Sequence, residues 1–165
     1  MQLIKDVSAE KLRGAYYTPP AIASFILHWG INGKHNADIL EPSCGDGVFL
    51  ECMRNENMPF NTVTAIEYEV VEANKARSLG LHDSEVINED FHRFCLDTDK
   101  RFNLVVGNPP FIRYQYYDSE QQKLADEIFK RSKLKRTKLT NAWVTFVVGC
   151  SQLLTETGKM GFVIP

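Results

Sequence analysis

The sequence lacks the patterns that mark a metal centre, a membrane span or an exported chain. Its four cysteines and four histidines include no C-x-x-C pair and no metal-ligand spacing, so we expect reduced thiols and no zinc. No apolar run approaches the roughly 20 residues that a membrane-spanning helix needs. The residues from Met1 to Glu10 are polar and of mixed charge, unlike a secretory signal. These absences favour a cytoplasmic protein without a resident metal.

Repeats, low-complexity tracts and interdomain linkers are also missing. The chain has 165 residues, of which 44% are hydrophobic, and this is near the size of one domain with one core. We therefore expect residues 1–165 to form a single domain.

Positive charge is scarce early in the chain and concentrated later. Residues 1–100 carry 9 Lys and Arg against 16 Asp and Glu, whereas residues 101–165 carry 10 against 5. Much of the excess lies in residues 130–138, which include Lys133, Lys135 and Arg136. Such a run is usually a solvated surface. Its position soon after a stiff Asn-Pro-Pro-Phe stretch makes contact with a polyanion a plausible second interpretation.

Strand and helix patterns alternate along the chain. Helices are expected over Ala21–Trp29, with Thr18 as the cap and Pro19 in the first turn, after Gly47, over Val70–Leu79, from Asp118 or Ser119 to about Lys130, and from Asn141 to about Thr155. Strands are expected over Asp38–Glu41, Val63–Glu67, Ser84–Asn88 and Phe102–Gly107, with a turn and a fifth strand over Gly158–Pro165. This alternation predicts an α/β fold with a doubly wound, mainly parallel sheet of order 3-2-1-4-5. Its switch point lies between the first and fourth strands, where ligands bind.

A glycine turn follows the first strand. Strand, glycine turn and helix form the nucleotide-binding arrangement of doubly wound folds, but this turn has neither G-x-G-x-x-G nor the lysine of a P-loop. The acids Glu41 and Asp46 would repel a pyrophosphate and suit a ligand with an ammonium group or hydroxyls. Glu67, about 20 residues later, is placed to accept hydrogen bonds from ribose. Asp90 is placed to accept from an adenine amino group, with Phe91 stacking on the ring. Taken alone, Glu67 is explained as a helix N-terminal charge, and Asp90-Phe91 after a strand is more often a turn.

The stretch Asn108-Pro109-Pro110-Phe111 follows the fourth strand. Each proline fixes φ and removes an N–H donor, so the segment is stiff and rich in acceptors. The Asn108 side-chain oxygen and backbone carbonyls suit a flat group that carries an NH2, and Phe111 offers a stacking surface.

These motifs together resemble those of S-adenosylmethionine-dependent DNA adenine-N6 methyltransferases of the restriction-modification type, from Gly14 to Pro165. The most specific is Asn108–Phe111, which is similar to the family's (N/D)-P-P-(Y/F/W) signature. The resemblance implies catalytic roles for Asn108, Pro109, Pro110 and Phe111, and S-adenosyl-L-methionine as the cofactor. It implies that the cofactor contacts Tyr17, Thr18, Glu41, Ser43, Cys44, Gly45, Asp46, Gly47, Glu67, Asp90, Phe91 and Asn108.

The family chemistry requires an adenine flipped out of DNA. Asn108 Oδ1 and the Pro109 carbonyl would bind the two hydrogens of its amino group, so that the lone pair attacks the methyl group directly. Phe111 would stack on the base, and Phe146 or Trp143 would lie near the base or the sulfonium. Lys133, Lys135 and Arg136 would contact DNA.

Other functions use similar patterns. Protein-glutamine and RNA guanine-N2 methyltransferases are the nearest alternatives, and a non-enzymatic nucleotide-binding module is a more distant one. The family sheet has seven strands, and five are expected here. We therefore expect residues 1–165 to be a catalytic part without the target-recognition region, inactive alone, with an edge strand that could pair with a second copy.

Overall fold

A five-stranded parallel sheet forms the centre of the computed structural model, which describes residues 17–32, 36–112, 116–135, 137 and 141–164. The elements, in chain order, are α1 (Pro20–Ile31), β1 (Asp38–Glu41), α2 (Val48–Asn55), β2 (Thr62–Glu67), α3 (Val70–Ser78), β3 (Ser84–Asn88), α4 (Phe91–Asp97), β4 (Phe102–Gly107), α5 (Ser119–Arg131), α6 (Ala142–Leu153) and β5 (Leu154–Phe162). No helix among these described residues is long and apolar enough to cross a membrane.

The strand order is β3-β2-β1-β4-β5, with every neighbouring pair parallel. This confirms the predicted fold class and strand order. The reversal after β1 leaves the ends of β1 and β4 side by side, because Ile39 pairs with Leu104 and Leu40 with Val105. The glycine turn and the Asn108 stretch therefore follow neighbouring strands at the carboxyl ends of the sheet, as the topology requires.

Both faces of the sheet are covered, and alternate strand residues point to opposite sides. On one face, Ile39 and Leu104 pack among buried residues of α1 and α2. On the other face, Leu40 and Val105 pack among aromatic and aliphatic residues of α4, α5 and α6. The two apolar layers hold the sheet rigid beneath the strand ends.

Three local predictions were wrong. The predicted element order omitted α4, which is only seven residues long and begins at the Asp90 cap. Thr18 does not cap α1: the N-cap residue is Pro19, and Thr18 is buried. The fifth strand begins at Leu154 and not after Gly158, since an irregularity in its pairing with β4 absorbs the extra residues. A Cβ at Gly158 would lie 3.0 Å from the Phe102 carbonyl oxygen, which explains the glycine at this irregularity.

Candidate active site

A cavity of about 400 Å³ opens at the carboxyl ends of β1, β2 and β4. The chain reaches it at several places, among them the start of α1, the glycine turn, the end of β2, the start of α4 and the stretch after β4. The structure thus brings together residues that lie far apart in the sequence. Those predicted from the sequence that line the cavity are Tyr17, Thr18, Glu41, Ser43, Cys44, Gly45, Asp46, Glu67, Asp90, Phe91, Asn108, Pro110 and Phe146.

The glycine turn is held by backbone hydrogen bonds and by close packing. The Cys44 N–H donates to the Ile66 carbonyl at 2.9 Å, which ties the turn to β2. Gly47 has φ of 96°, and a Cβ there would lie 2.6 Å from Leu79 Cδ1. Gly47 does not line the cavity, so its role is to let the chain enter α2 against α3.

Glu67 is fixed at the end of β2 by two backbone donors. Its Oε2 accepts from the Gly45 N–H at 2.8 Å, and its Oε1 accepts from the Glu69 N–H at 2.7 Å. Burial raises the pKa of Glu67, and these two hydrogen bonds oppose that rise. A carboxylate offers about four acceptor positions, so a second pair remains for a ligand.

Glu41, at the end of β1, is a buried carboxyl group with 1% of its surface exposed. Its Oε2 accepts no hydrogen bond from the described residues. Burial raises the pKa of Glu41 well above its usual value, and the charges of Glu67 and Asp46 raise it further. The pKa of Asp46 is itself raised, mainly by burial. This part of the cavity therefore favours a positively charged or hydrogen-bond-donating ligand.

Asp90 begins α4 and is held by both neighbouring helices. Its Oδ1 accepts from the His92 N–H at 2.7 Å, and its Oδ2 accepts from Gln121 Nε2 at 3.0 Å. Burial raises the pKa of Asp90, but hydrogen bonds and charge from His92 and a hydrogen bond from Gln121 outweigh burial and hold it at about 2. The sequence-based role of Asp90 toward an adenine amino group stays a prediction, and the carboxylate faces the cavity.

Two aromatic residues that were predicted to contact a ligand, Phe91 and Phe146, lie mostly in the core. Phe91 and Phe146 stack on each other, with ring centroids 4.7 Å apart and planes at 18°. Both rings are buried, and both still contribute to the cavity wall.

Two of the four catalytic candidates line the cavity, namely Asn108 and Pro110. The other two do not: Pro109 is buried, and Phe111 is half-buried. Ser43 Oγ donates to the Asn108 backbone carbonyl at 3.4 Å, so the glycine turn and the Asn108 stretch are in direct contact. Thr18 is buried in the wall, and Tyr17 is 62% exposed at its edge.

A profile of the N-6 DNA methylase family matches residues 2–165. The chain belongs to this family. Among its relatives are the type II methyltransferase M.AccI of Acinetobacter calcoaceticus, 25% identical over 98% of this chain and 30% of the relative, and the tRNA1(Val) (adenine(37)-N6)-methyltransferase of Haemophilus influenzae, 23% identical over 80% and 55%. A type I restriction-modification methyltransferase subunit from Streptococcus thermophilus shares the fold, with a TM-score of 0.74 at 19% identity over 95% of this chain and 36% of that one.

These matches confirm the family and the methyltransferase fold expected from the motifs. The chain spans about a third of the length of the type II methyltransferases that it matches first.

In this N-6 DNA methylase chain, the predicted polyanion contacts lie apart from the cavity. Lys133 and Lys135 are exposed beyond the end of α5 and do not line it. Arg136 lies outside the described residues. No group of three potential metal ligands occurs in the part of the chain that the structure describes.

Sequence reasoning missed several polar residues of the cavity wall. Three of them are His92 in the first turn of α4, Tyr117 two residues before α5, and Gln121 in the first turn of α5. One signal for Gln121 was present: Asp118 and Gln121 form a capping box, with Asp118 accepting from the backbone of Glu120 and Gln121. Nothing in the local sequence connects this box to Asp90, because that contact depends on how α4 and α5 pack.

Proposed function

We propose that this chain binds S-adenosylmethionine in the cavity and transfers its methyl group to the N6 atom of adenine in DNA, within a restriction-modification system. The observation that carries the proposal is that Asn108 and Pro110 share one cavity with Glu67 and Asp90. Family membership supports the reaction, and the relatives named as type II methyltransferases support the restriction-modification setting.

The residues of the cavity fit this cofactor, which carries an ammonium group, a sulfonium, ribose hydroxyls and an adenine ring. Glu41 offers a buried oxygen without a described donor, which suits a cationic group. Glu67 keeps acceptor positions for ribose hydroxyls. A Cβ at Gly45 would meet no atom within 4 Å, so the turn leaves open space beside its backbone.

The cofactor contacts are proposed for residues from five places in the sequence. Glu67 would bind the ribose, and Asp90 the adenine amino group, with Phe91 beside the ring. The remaining proposed contacts are Tyr17, Thr18, Glu41, Ser43, Cys44, Gly45, Asp46, Gly47 and Asn108, of which Gly47 acts by shaping the turn.

The cofactor supplies an electrophilic methyl group on sulfur. The chain positions the nucleophile: the Asn108 side-chain oxygen and the Pro109 carbonyl would each accept one hydrogen of the adenine amino group. That geometry frees the nitrogen lone pair, which in adenine is delocalised into the ring. The two prolines hold the acceptors in place, so catalysis comes from positioning and oriented dipoles.

The target base must leave the duplex to reach Asn108. Phe111 would stack on the flipped adenine, with Phe146 in the wall behind it. Lys133, Lys135 and Arg136 would contact DNA phosphates. Residues 1–165 would form the catalytic domain, and the cytoplasmic location expected from the sequence belongs to the same proposal.

Self-association through β5 also stays a proposal. Among the described residues β5 pairs only with β4, which leaves its other edge without a described strand.

The deciding experiment is methyl transfer from tritiated S-adenosylmethionine, with residues 1–165 and with any longer protein that contains them. Duplex DNA, tRNA and a protein extract serve as competing substrates, and digested product is analysed for N6-methyladenine. We expect label in DNA adenine with the longer protein, and little or none with residues 1–165 alone. Label in tRNA or protein alone would overturn the DNA assignment.

The matched control is Asn108→Ala. We expect transfer to be lost while the affinity for S-adenosylhomocysteine stays within about threefold, because the side chain acts on the target amino group. A variant that retains full transfer would refute the mechanism.

A further inference from the structure

A chain of hydrogen bonds joins the wall of the cavity to the start of α5. His92 Nδ1 lies 2.9 Å from Asp90 Oδ1, and His92 Nε2 lies 3.4 Å from the Tyr117 hydroxyl. A second branch runs from Asp90 Oδ2 to Gln121 Nε2 at 3.0 Å. Both branches begin at the carboxylate proposed to bind the cofactor adenine.

The hydrogen-bond roles in this chain follow from the groups themselves. Asp90 is ionised and can only accept, so His92 Nδ1 carries the proton and donates to it. The Tyr117 hydroxyl can both donate and accept, so it can pair with Nε2 in either form of the ring. Both ring nitrogens therefore have a partner, which fixes the imidazole plane.

Packing holds the same ring from both sides. Only 2% of His92 is exposed. Its ring meets Tyr117 edge-on at 5.2 Å between centroids and Phe146 edge-on at 5.3 Å. His92 is thus held by two hydrogen bonds and by its ring contacts with Tyr117 and Phe146.

The far end of the chain of bonds is at the start of α5, the next described α-helix after Asn108–Phe111. Tyr117 is buried in a small cluster with Ala125 and Ala142, against which Ile112 packs. Gln121 links its Asp90 contact to the helix cap, because its Oε1 accepts from the Asp118 N–H at 3.3 Å. Moving Asp90 or His92 would therefore move the start of α5.

We infer that His92 is a positioning residue that couples filling of the cofactor cavity to the ordering of the start of α5, next to the stretch that holds the target base. The inference rests on the proposed function, since the cofactor adenine would engage Asp90. A ligand on that carboxylate restrains it, and with it His92, Gln121 and Tyr117. Such coupling is reciprocal: a well-ordered start of α5 strengthens cofactor binding by the same factor.

The test combines calorimetry with hydrogen exchange on the 165-residue chain, using S-adenosylhomocysteine as the probe. In the wild type we expect the probe to slow amide exchange at residues 116–121. Tyr117→Phe removes only the hydroxyl, so the probe should bind within about threefold but lose at least about half of its protective effect there. His92→Phe keeps an aromatic ring and removes both nitrogens; it should lose the protection and weaken binding about tenfold.

Arg93→Gln is the matched control. Arg93 forms an exposed ion pair with Glu120, so it links the same two helices outside the cavity. We expect this variant to keep both the affinity and the probe-dependent protection of the wild type.

The outcomes separate the inference from the proposed function. If the wild type does not bind the probe, the proposed cofactor and this inference both fail. If the probe binds but leaves exchange at residues 116–121 unchanged, or if Tyr117→Phe keeps the full protection, only the inference fails. Faster exchange throughout a variant, with probe-dependent protection retained, would show a purely structural role and would also overturn it. If His92→Phe does not fold, Tyr117→Phe decides the question.

Discussion

Replacing Glu41 by Gln tests the electrostatic reading of the cavity most directly. The substitution keeps the shape of a side chain that is 1% exposed and removes its ability to ionise. The Oε2 atom accepts no hydrogen bond from the described residues, so the ionised form has little to offset its loss of water. Glu67 and Asp46 add like charge to the same site.

The sign of the effect follows from the raised pKa of Glu41 in the folded state. The stability that comes from the protonated carboxyl is fully present below the unfolded pKa of about 4.3 and is lost as pH rises through the folded pKa. Each pH unit between those two values costs the wild type about 1.4 kcal/mol relative to the Gln variant. The variant should therefore be more stable than the wild type at pH 8, and the two should converge near pH 4.5.

Urea denaturation of both proteins between pH 4.5 and 8.5, without ligand, measures this difference. Glu51→Gln is the control, because Glu51 is an exposed carboxylate on α2 with only a 3.9 Å contact to Arg54. Its effect should stay within about 0.5 kcal/mol at every pH. A stability difference for Glu41→Gln that does not change with pH, or a variant less stable than the wild type at pH 8, would refute the reasoning.

Three further changes test the ribose site, the basic surface and the glycine turn. Glu67→Gln should weaken S-adenosylhomocysteine binding about tenfold by calorimetry; unchanged affinity would remove its ribose role. Replacing Lys133 and Lys135 by Ala should reduce the salt slope of DNA binding by about 2, and an unchanged slope would leave them as solvated surface. Gly47→Ala should lower the free energy of unfolding by roughly 1–3 kcal/mol in urea. Gly80→Ala is its control: φ is +63° but space is open, so its cost should be smaller, and an equal cost would argue against the close packing at Gly47.

The distribution of charge along the chain has a spatial counterpart. The acids of the first 100 residues include Glu41, Asp46 and Glu67, which surround the cavity. Exposed lysines follow α5, away from the cavity wall. The acidic cavity would thus attract a cationic cofactor, and the exposed lysines would attract a polyanionic substrate.

The sequence alone determined the order of the sheet and the identity of the main motifs. Alternating apolar runs and turns set the parallel strands, and right-handed crossovers leave few arrangements for them. The carboxyl ends of parallel strands all lie on the same side of a sheet. The strand order therefore brings Glu41, Glu67 and Asn108 close together. The stiffness of Asn108–Phe111 is a property of two prolines and requires no tertiary contact.

Only the tertiary structure determines which polar side chains of different motifs form hydrogen bonds with one another. Asp90 and Gln121 are 31 positions apart, and their hydrogen bond exists because α4 packs against α5. The same packing places Tyr117 against His92, and the packing of α4 against α6 stacks Phe91 on Phe146. Periodicity and turn chemistry describe one element at a time, whereas these contacts depend on the relative position of two. For that reason the sequence indicated where the cavity would form, and only the fold showed which side chains of α4 bond to those at and before the start of α5.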